Sequence, residues 1–346
     1  MRCCWVQYRM MLVVCVGILA VIAPSIVDAA DAPAVNFVEL TPPLRAAIER
    51  GQVYLAKVQE ADGNFGDTRY GKHVGITALG CLALMADGHV PGRGKYGHVV
   101  QKGLDFVLSS SQETGLIAKD TSHGPMYGHG FATLFLGEIY GMTSDRRVRE
   151  ALVKATRLII NSQNEEGGWR YRPEPADADL SVTICQVMAL RSAREAGIHV
   201  PKKTIDRAVE YVKKSQVADG GFKYMMHSGG SAFPRSAAGV ATFYYAGVYE
   251  GDAIKRGLNY LMAYQREMSN RTFGHYFYGQ YYAVQAMYLA GGNYWRQWYP
   301  AIRKELLNRQ DDTDGSWDST HGKSYGTAMA MIILQVPHRY LPVLQR

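Results

Sequence analysis

Six glutamines stand at near-regular intervals along this chain: Gln59, Gln112, Gln163, Gln216, Gln265 and Gln310, spaced 53, 51, 53, 49 and 45 residues apart. Each closes an amphipathic segment and opens a turn. Four of the turns run to glycine and an aromatic ring: QEADGNF at 59–65, QNEEGGW at 163–169, QVADGGF at 216–222 and QDDTDGSW at 310–317. QETGL at 112–116 is a shortened copy, and QREMSNRTF at 265–273 has lost the first glycine. A unit recurring at this period cannot bury its apolar face alone, so neighbouring units must stack to make a core.

Each unit reads as a pair of helices. Residues 149–161 (REALVKATRLIIN) place apolar side chains at helical spacing with charges on the other face, whereas 180–193 (LSVTICQVMALRSA) is apolar nearly all round. The first pattern faces water on one side; the second demands burial. The same alternation holds in all six units, with inner helices expected to begin near His73, Gly128, Asp177, Arg235, Tyr278 and Tyr325. Gly88, Gly141, Gly197 and Gly291 read as left-handed C-terminal caps. Period-two alternation is absent, so almost no sheet is expected. An open solenoid needs polar units at its ends. The last inner segment, YGTAMAMIILQV at 325–336, is as apolar as the middle ones and needs a neighbour on both sides. Ring closure supplies it, and the expected fold is an all-α (α/α)6 toroid.

The first thirty residues read as an export signal, with Arg2 and Arg9, an apolar run from Met10 to Ala23, and small residues around Asp28. The domain reading is a signal at 1–30 and a single six-unit domain at 31–346, exported to a periplasm or the exterior. Were the signal kept, Met10 to Val27 would approach a membrane-spanning length. No later stretch is apolar enough to cross a bilayer. Without the signal, 36 basic and 30 acidic residues remain, a diffuse excess that gives no nucleic-acid footprint. The densest basic patch (Lys202, Lys203, Arg207, Lys213 and Lys214) fits the wet face of an outer helix. Cys81 and Cys185 lie in apolar segments of non-adjacent units and read as small buried hydrophobes rather than a disulfide.

The glutamine–glycine–aromatic turn on a helix pair resembles the prenyltransferase/squalene-oxidase repeat of squalene-hopene cyclases, other class II terpene cyclases and protein prenyltransferase β-subunits. The resemblance covers the whole chain after the signal and rests on six-fold recurrence. It implies that Gln163 with Trp169, and Gln310 with Trp317, tie one helix pair to the next. It also sets Asp177-Ala178-Asp179-Leu180-Ser181 where class II cyclases carry Asp-x-Asp-Asp-Thr, making Asp179 the proton donor; the last Asp of that motif is Leu180 here. A donor must be kept protonated, and Asp177 is the candidate to share its proton. The competing reading is that Asp177 or Asp179 caps a helix start, where the helix dipole favours the ionised form. No Asp-x-Cys with a distant His matches the zinc site of the prenyltransferases. Asp311, Asp312 and Asp314 fall in a turn and read as solvated rather than as a magnesium cluster.

Aligning inner helices on Thr77, Thr133, Thr183, Thr242 and Thr327 places His73, His129 and Asp179 four residues earlier in three consecutive units. Such pairs share a helix face, and parallel inner helices would gather these groups at one mouth of the ring. Two histidines and a carboxylate suit zinc or non-haem iron; His129 is equally a candidate catalytic residue. Packing against a neighbouring helix is the alternative for both histidines. Tyr127, Arg235, Tyr278, Tyr281, Tyr282 and Tyr325 are candidate ligand-binding residues near that mouth. Their rings suit carbocations, stack equally on sugars or fill a core, and tyrosine outnumbers phenylalanine 23 to 10, which favours a hydrogen-bonding cavity. Three functions are therefore open: a terpene-cyclase-like enzyme, a carbohydrate-active lyase or hydrolase, and a non-catalytic ring for a lipid, glycan or protein.

Overall fold

The computed structural model describes residues 40–65, 70–121, 123–265, 275–338 and 341–344. The expected signal and most of the fifth turn lie outside them. The described residues form twelve α-helices and no strands, with isolated bridges only. Six helices form the outer layer: α1 (Pro42–Val58), α3 (Gly97–Ser109), α5 (Arg146–Asn161), α7 (Lys202–Ser215), α9 (Asp252–Tyr264) and α11 (Gly292–Arg309). They alternate with six inner ones: α2 (Val74–Met85), α4 (Met126–Tyr140), α6 (Leu180–Glu195), α8 (Phe233–Tyr245), α10 (Tyr276–Ala290) and α12 (Lys323–Gln335). Each inner helix packs on the next, and α12 packs back on α2, so the ring closes. Burial follows the sequence pattern: every residue of α2 is buried, whereas α5 buries only Val148, Leu152, Ala155, Thr156 and Ile159 along one stripe.

The glutamines are staples between units. Gln163 Nε2 donates to Gly167 O of its own turn at 2.8 Å and to Thr204 O at the start of α7 at 2.9 Å. Gln59 and Gln216 repeat this with Val99 and Ala253, and Gln265 reaches Gln297. Gln310 donates to Ala47 O of α1 at 2.8 Å, so the last unit is stapled to the first by the same bond. The turn glycine must be glycine: Gly167 has φ +100°, and a Cβ there would meet Arg207 O at 2.3 Å. Trp169 and Trp317 are buried and donate from Nε1 to Ile159 O and Leu306 O, pinning each turn to its own outer helix. The second turn departs, since Gln112 is exposed and Ile117 stands where the others have a ring.

Among the expected C-caps, Gly88, Gly197 and Gly291 have positive φ, but Gly141 has φ −78° and continues the right-handed helix. Cys81 and Cys185 are free and buried. The aspartates of the last turn pair with Lys323, Asp314 at 2.8 Å and Asp311 at 3.2 Å, which accounts for their clustering. At the C-terminal ends of the inner helices the chain turns across the ring. The 3-10 turn Val336–His338 touches α10 and α12, and Pro342–Leu344 packs on α6, which faces α12 across the ring. Leu341 and Val343 are buried there, and the Val343 N–H donates to Glu138 Oε2 of α4 at 3.0 Å.

Candidate active site

The mouth at the N-terminal ends of the inner helices is built by the segments that follow the glutamine turns. The backbone N–H of the turn aromatic donates to a hydroxyl on its inner helix: Phe65 to Thr77, Trp169 to Thr183, Phe222 to Ser236 and Trp317 to Thr327. Two residues further on, Tyr171 O accepts from Met126 N at 3.2 Å, and Tyr224 O accepts from Leu180 N at 2.9 Å. Each thus satisfies an amide at the start of the preceding unit's inner helix, a group that has no partner within the helix. The same placement brings the Tyr171 and Tyr224 rings to the mouth, with their hydroxyls hydrogen-bonded to each other.

Asp179 sits beneath this pair. It is the N-cap of α6, with Oδ1 accepting from Val182 N at 2.9 Å, and its side chain is wholly buried. Oδ2 carries no hydrogen bond and faces Arg170 Nε at 4.0 Å. Burial raises its carboxyl to about 6; the Val182 N–H, the Arg170 charge, the Ser181 N–H and the Tyr224 hydroxyl pull it back. One carboxylate oxygen thus caps the helix, and the other is buried without a hydrogen bond. Asp177 does not share the proton. It is exposed and pairs with Arg170 at 2.8 Å, so a guanidinium lies between the two carboxylates. Arg170 also lies over the rings of Tyr171 and Tyr224, 5.1 and 5.8 Å from their centroids. A surface cleft of about 220 Å³ reaches this arginine, lined by Arg170, Tyr171 and Asp177 among others. It adjoins one of about 470 Å³ bounded by His123, Arg172 and Glu174.

The three expected metal ligands are not brought together. No three His, Cys, Asp or Glu side chains among the described residues converge on an ion position. His73 caps α2, its Nδ1 accepting from Gly75 N at 3.2 Å. His129 lies one turn further along its helix and faces outward: Nδ1 accepts from Ile117 N at 3.1 Å, and the other edge of the ring approaches the Ala155 carbonyl of α5. The threonine alignment slips in this unit, because the acceptor equivalent to Thr77 and Thr183 is His129, not Thr133. In the fourth unit it is Ser236, not Thr242. Held between the second turn and α5, the His129 side chain points away from the mouth. Burial holds both histidines down to about 4, so they stay neutral.

The candidate ligand residues divide by depth. Tyr127, Tyr278 and Tyr325 are partly exposed at the mouth, and the Tyr278 hydroxyl donates to Ser181 O at 2.9 Å. Tyr281 and Tyr282 are buried deeper and line no open surface. Arg235 donates to Gly230 O at 2.7 Å and holds its own loop, while its Nε is buried without a partner. Sequence reading missed Arg170 and Tyr171. Their signal was their place, one or two residues beyond the turn aromatic. It also missed Tyr70, whose hydroxyl meets His321 Nδ1 at 2.7 Å, and His275, stacked on His321 with centroids 5.6 Å apart.

Comparison with solved structures settles the architecture. The apo type II terpene cyclase MstE from Scytonema aligns over 87% of this chain and 100% of its own, with TM-score 0.59 and 14% identity. The chain has the terpene-cyclase-like α/α-toroid fold. The same fold relates it to cellobiose 2-epimerase from Spirochaeta thermophila (TM-score 0.65, 12% identity, 87% of this chain and 98% of that one). It also relates it to an inactive variant of the α-1,6-mannanase GH76A of Salegentibacter (TM-score 0.62, 9% identity, 85% and 99%). In sequence, the drimenyl diphosphate synthase of Streptomyces showdoensis is 26% identical over 183 residues, 52% of this chain and 32% of that protein. That of Streptantibioticus cattleyicolor is 26% identical over 196 residues, 55% and 35%. The match therefore spans about a third of the length of these curated relatives. No family model matches the chain.

Proposed function

We propose that this chain is a toroid enzyme that donates a proton from Asp179 to the double bond of an isoprenoid-like ligand held in the mouth of the ring. One observation carries the reading: a buried carboxyl raised to about 6, with Oδ2 unbonded beneath a wall of tyrosines. The π electrons of the alkene take the Oδ2 proton, and a carbocation and a carboxylate form together. The carboxylate gains the Arg170 charge at 4.0 Å and the Val182 N–H at 2.9 Å, contacts that matter more to the anion than to the neutral acid. The faces of Tyr127 and Tyr278 suit the cation, whose positive charge is discharged when a neighbouring carbon loses a proton to the Asp179 carboxylate or to water. Asp177 is a positioning residue, holding Arg170. The sequence matches to drimenyl diphosphate synthases support this class.

Leu180, standing where class II cyclases carry a further Asp, removes one acid from the motif and leaves burial to hold the proton. A second reading, action on a glycan, is favoured by the polar rim of Tyr70, His275 and His321. With the first thirty residues read as a leader, the proposal places one ring domain outside the cytoplasm, acting on a small lipid or glycan without a nucleic-acid partner. Among the described residues no helix is long and apolar enough to cross a membrane. The test is incubation in deuterated water with geraniol, farnesol and their diphosphates, and in parallel with mannose and glucose oligosaccharides. The proposal expects a cyclised or isomerised product carrying one solvent deuterium, and none from Asp179→Asn. Turnover of the oligosaccharides alone would replace it with the glycan reading.

A further inference from the structure

Arg170 belongs at once to the wall of a cleft and to the surroundings of the buried Asp179 carboxyl. Its Nε stands 4.0 Å from Asp179 Oδ2, while its Nη1 pairs with Asp177 at 2.8 Å and lies 3.1 Å from Met225 Sδ. The same residue lines the cleft of about 220 Å³, which shares His123, Arg172 and Glu174 with the neighbouring cavity of about 470 Å³. The larger volume suits a small ligand. The groups around Asp179 differ in how firmly they are held. Tyr171 O and Tyr224 O satisfy Met126 N and Leu180 N at the starts of α4 and α6, so moving either backbone strands a helix amide. The two hydroxyls are bonded to each other. The Arg170 guanidinium is tied differently: by contact with the tyrosine faces and by an ion pair whose partner is exposed to water, a bond weakened by solvent and salt. Arg170 is therefore the part that yields first.

We propose that the Arg170–Asp177 pair is the latch of an entrance to Asp179: when the pair parts, the guanidinium swings out and the cleft opens onto Oδ2. The structure holds this entrance shut. Opening admits ligand and solvent to the carboxyl, and reclosing returns the guanidinium to 4.0 Å from Oδ2, where its charge stabilises the carboxylate left by proton transfer. The inference rests on the reading of Asp179 as a proton donor. It gives Asp177 a second part, control of access, besides holding the arginine in place.

The test is the rate at which a water-soluble carbodiimide with a small amine modifies Asp179 in the full chain at pH 5, followed residue by residue by mass spectrometry. In the wild type Asp179 should react far more slowly than the exposed Glu174. Asp177→Asn, a surface change that leaves the fold intact, should speed Asp179 modification by about two- to fivefold, the range expected from losing one exposed ion pair. Arg170→Met should speed it at least tenfold. Added salt should quicken the wild type and not Asp177→Asn, because only the wild type has the pair to screen. Buried Glu138 at the far mouth should stay equally slow throughout, which separates a local entrance from general loosening. Wild-type Asp179 reacting as fast as Glu174, a rate unchanged in both variants, or Asp179 and Glu138 rising together would overturn the latch. No ligand enters this experiment, so its failure leaves the proton-donor reading to the deuterium test above, and failure of that test leaves the measured access standing.

Discussion

A buried ionisable group binds protons differently in the folded and unfolded chain, and in this ring such groups pull stability in opposite directions. His129 is held down to about 4 by burial. Its contribution is present above the unfolded value of about 6.5 and is lost as pH falls through 4, a change on the order of 3 kcal/mol. His129→Gln, which still offers an oxygen to the Ile117 N–H, should flatten this acid limb in urea titrations between pH 4 and 7. Glu138 behaves oppositely. Burial raises it to about 7, against the Ser192 hydroxyl and the Val343 N–H that favour its ionised form. Its contribution is complete below the unfolded value of about 4.3 and is lost as pH rises through 7. Glu138→Gln should therefore gain on the wild type at pH 8 and not at pH 4; an equal effect at both would show that packing dominates. Of these two groups, His129 was marked by the threonine alignment, though for the wrong face, and Glu138 by no sequence pattern. The acidity of Glu138 depends on a partner from the far end of the chain, and the role of His129 on an imidazole doing the work of a hydroxyl, which is why the threonine alignment slipped.

At the scale of elements, the glutamine turn is a stabilising device whose bonds recur through most of the ring. Trp169→Ala should remove a buried indole and its hydrogen bond to Ile159 O and cost about 3–5 kcal/mol. Gln310→Ala should strand the carbonyls of Ala47 and Gly315, costing about 1–3 kcal/mol for each group left buried. Both belong to stability alone. Thermal melting should fall, while any ligand affinity per folded molecule is kept. A variant that melted normally and lost binding would make the turn part of the site. These elements were legible because the glutamine, glycine and aromatic recur at fixed offsets and the inner helices are apolar all round. Arg170 and Tyr171, just beyond their turn, were not read, although the Tyr171 backbone caps the neighbouring inner helix while its side chain faces the mouth. Position within the repeat, not residue type, was the signal.

For the whole molecule, closure gives every inner helix a neighbour on both sides. Ring geometry sets α4 opposite α10, and so Phe131 against Tyr281, a pairing with no trace in local sequence because it depends on which units end up facing each other. The expected ring of metal ligands failed for a related reason: a shift of one helical turn carries His129 from the mouth to the outer layer. The remaining carboxyl at the mouth tests the account most directly. Stability linked to Asp179 should be complete below the unfolded value of about 3.9 and lost as pH rises through the folded value near 6, so Asp179→Asn, which keeps the cap, should melt higher than the wild type at pH 8. The decisive measurement is the titration of the Asp179 carboxyl itself, by carbon NMR of aspartate-labelled protein assigned with Asp179→Asn. The account predicts a midpoint near 6 that rises further in Arg170→Met, since the guanidinium lowers it. A midpoint at or below about 4, as for an ordinary ionised helix cap, would contradict it.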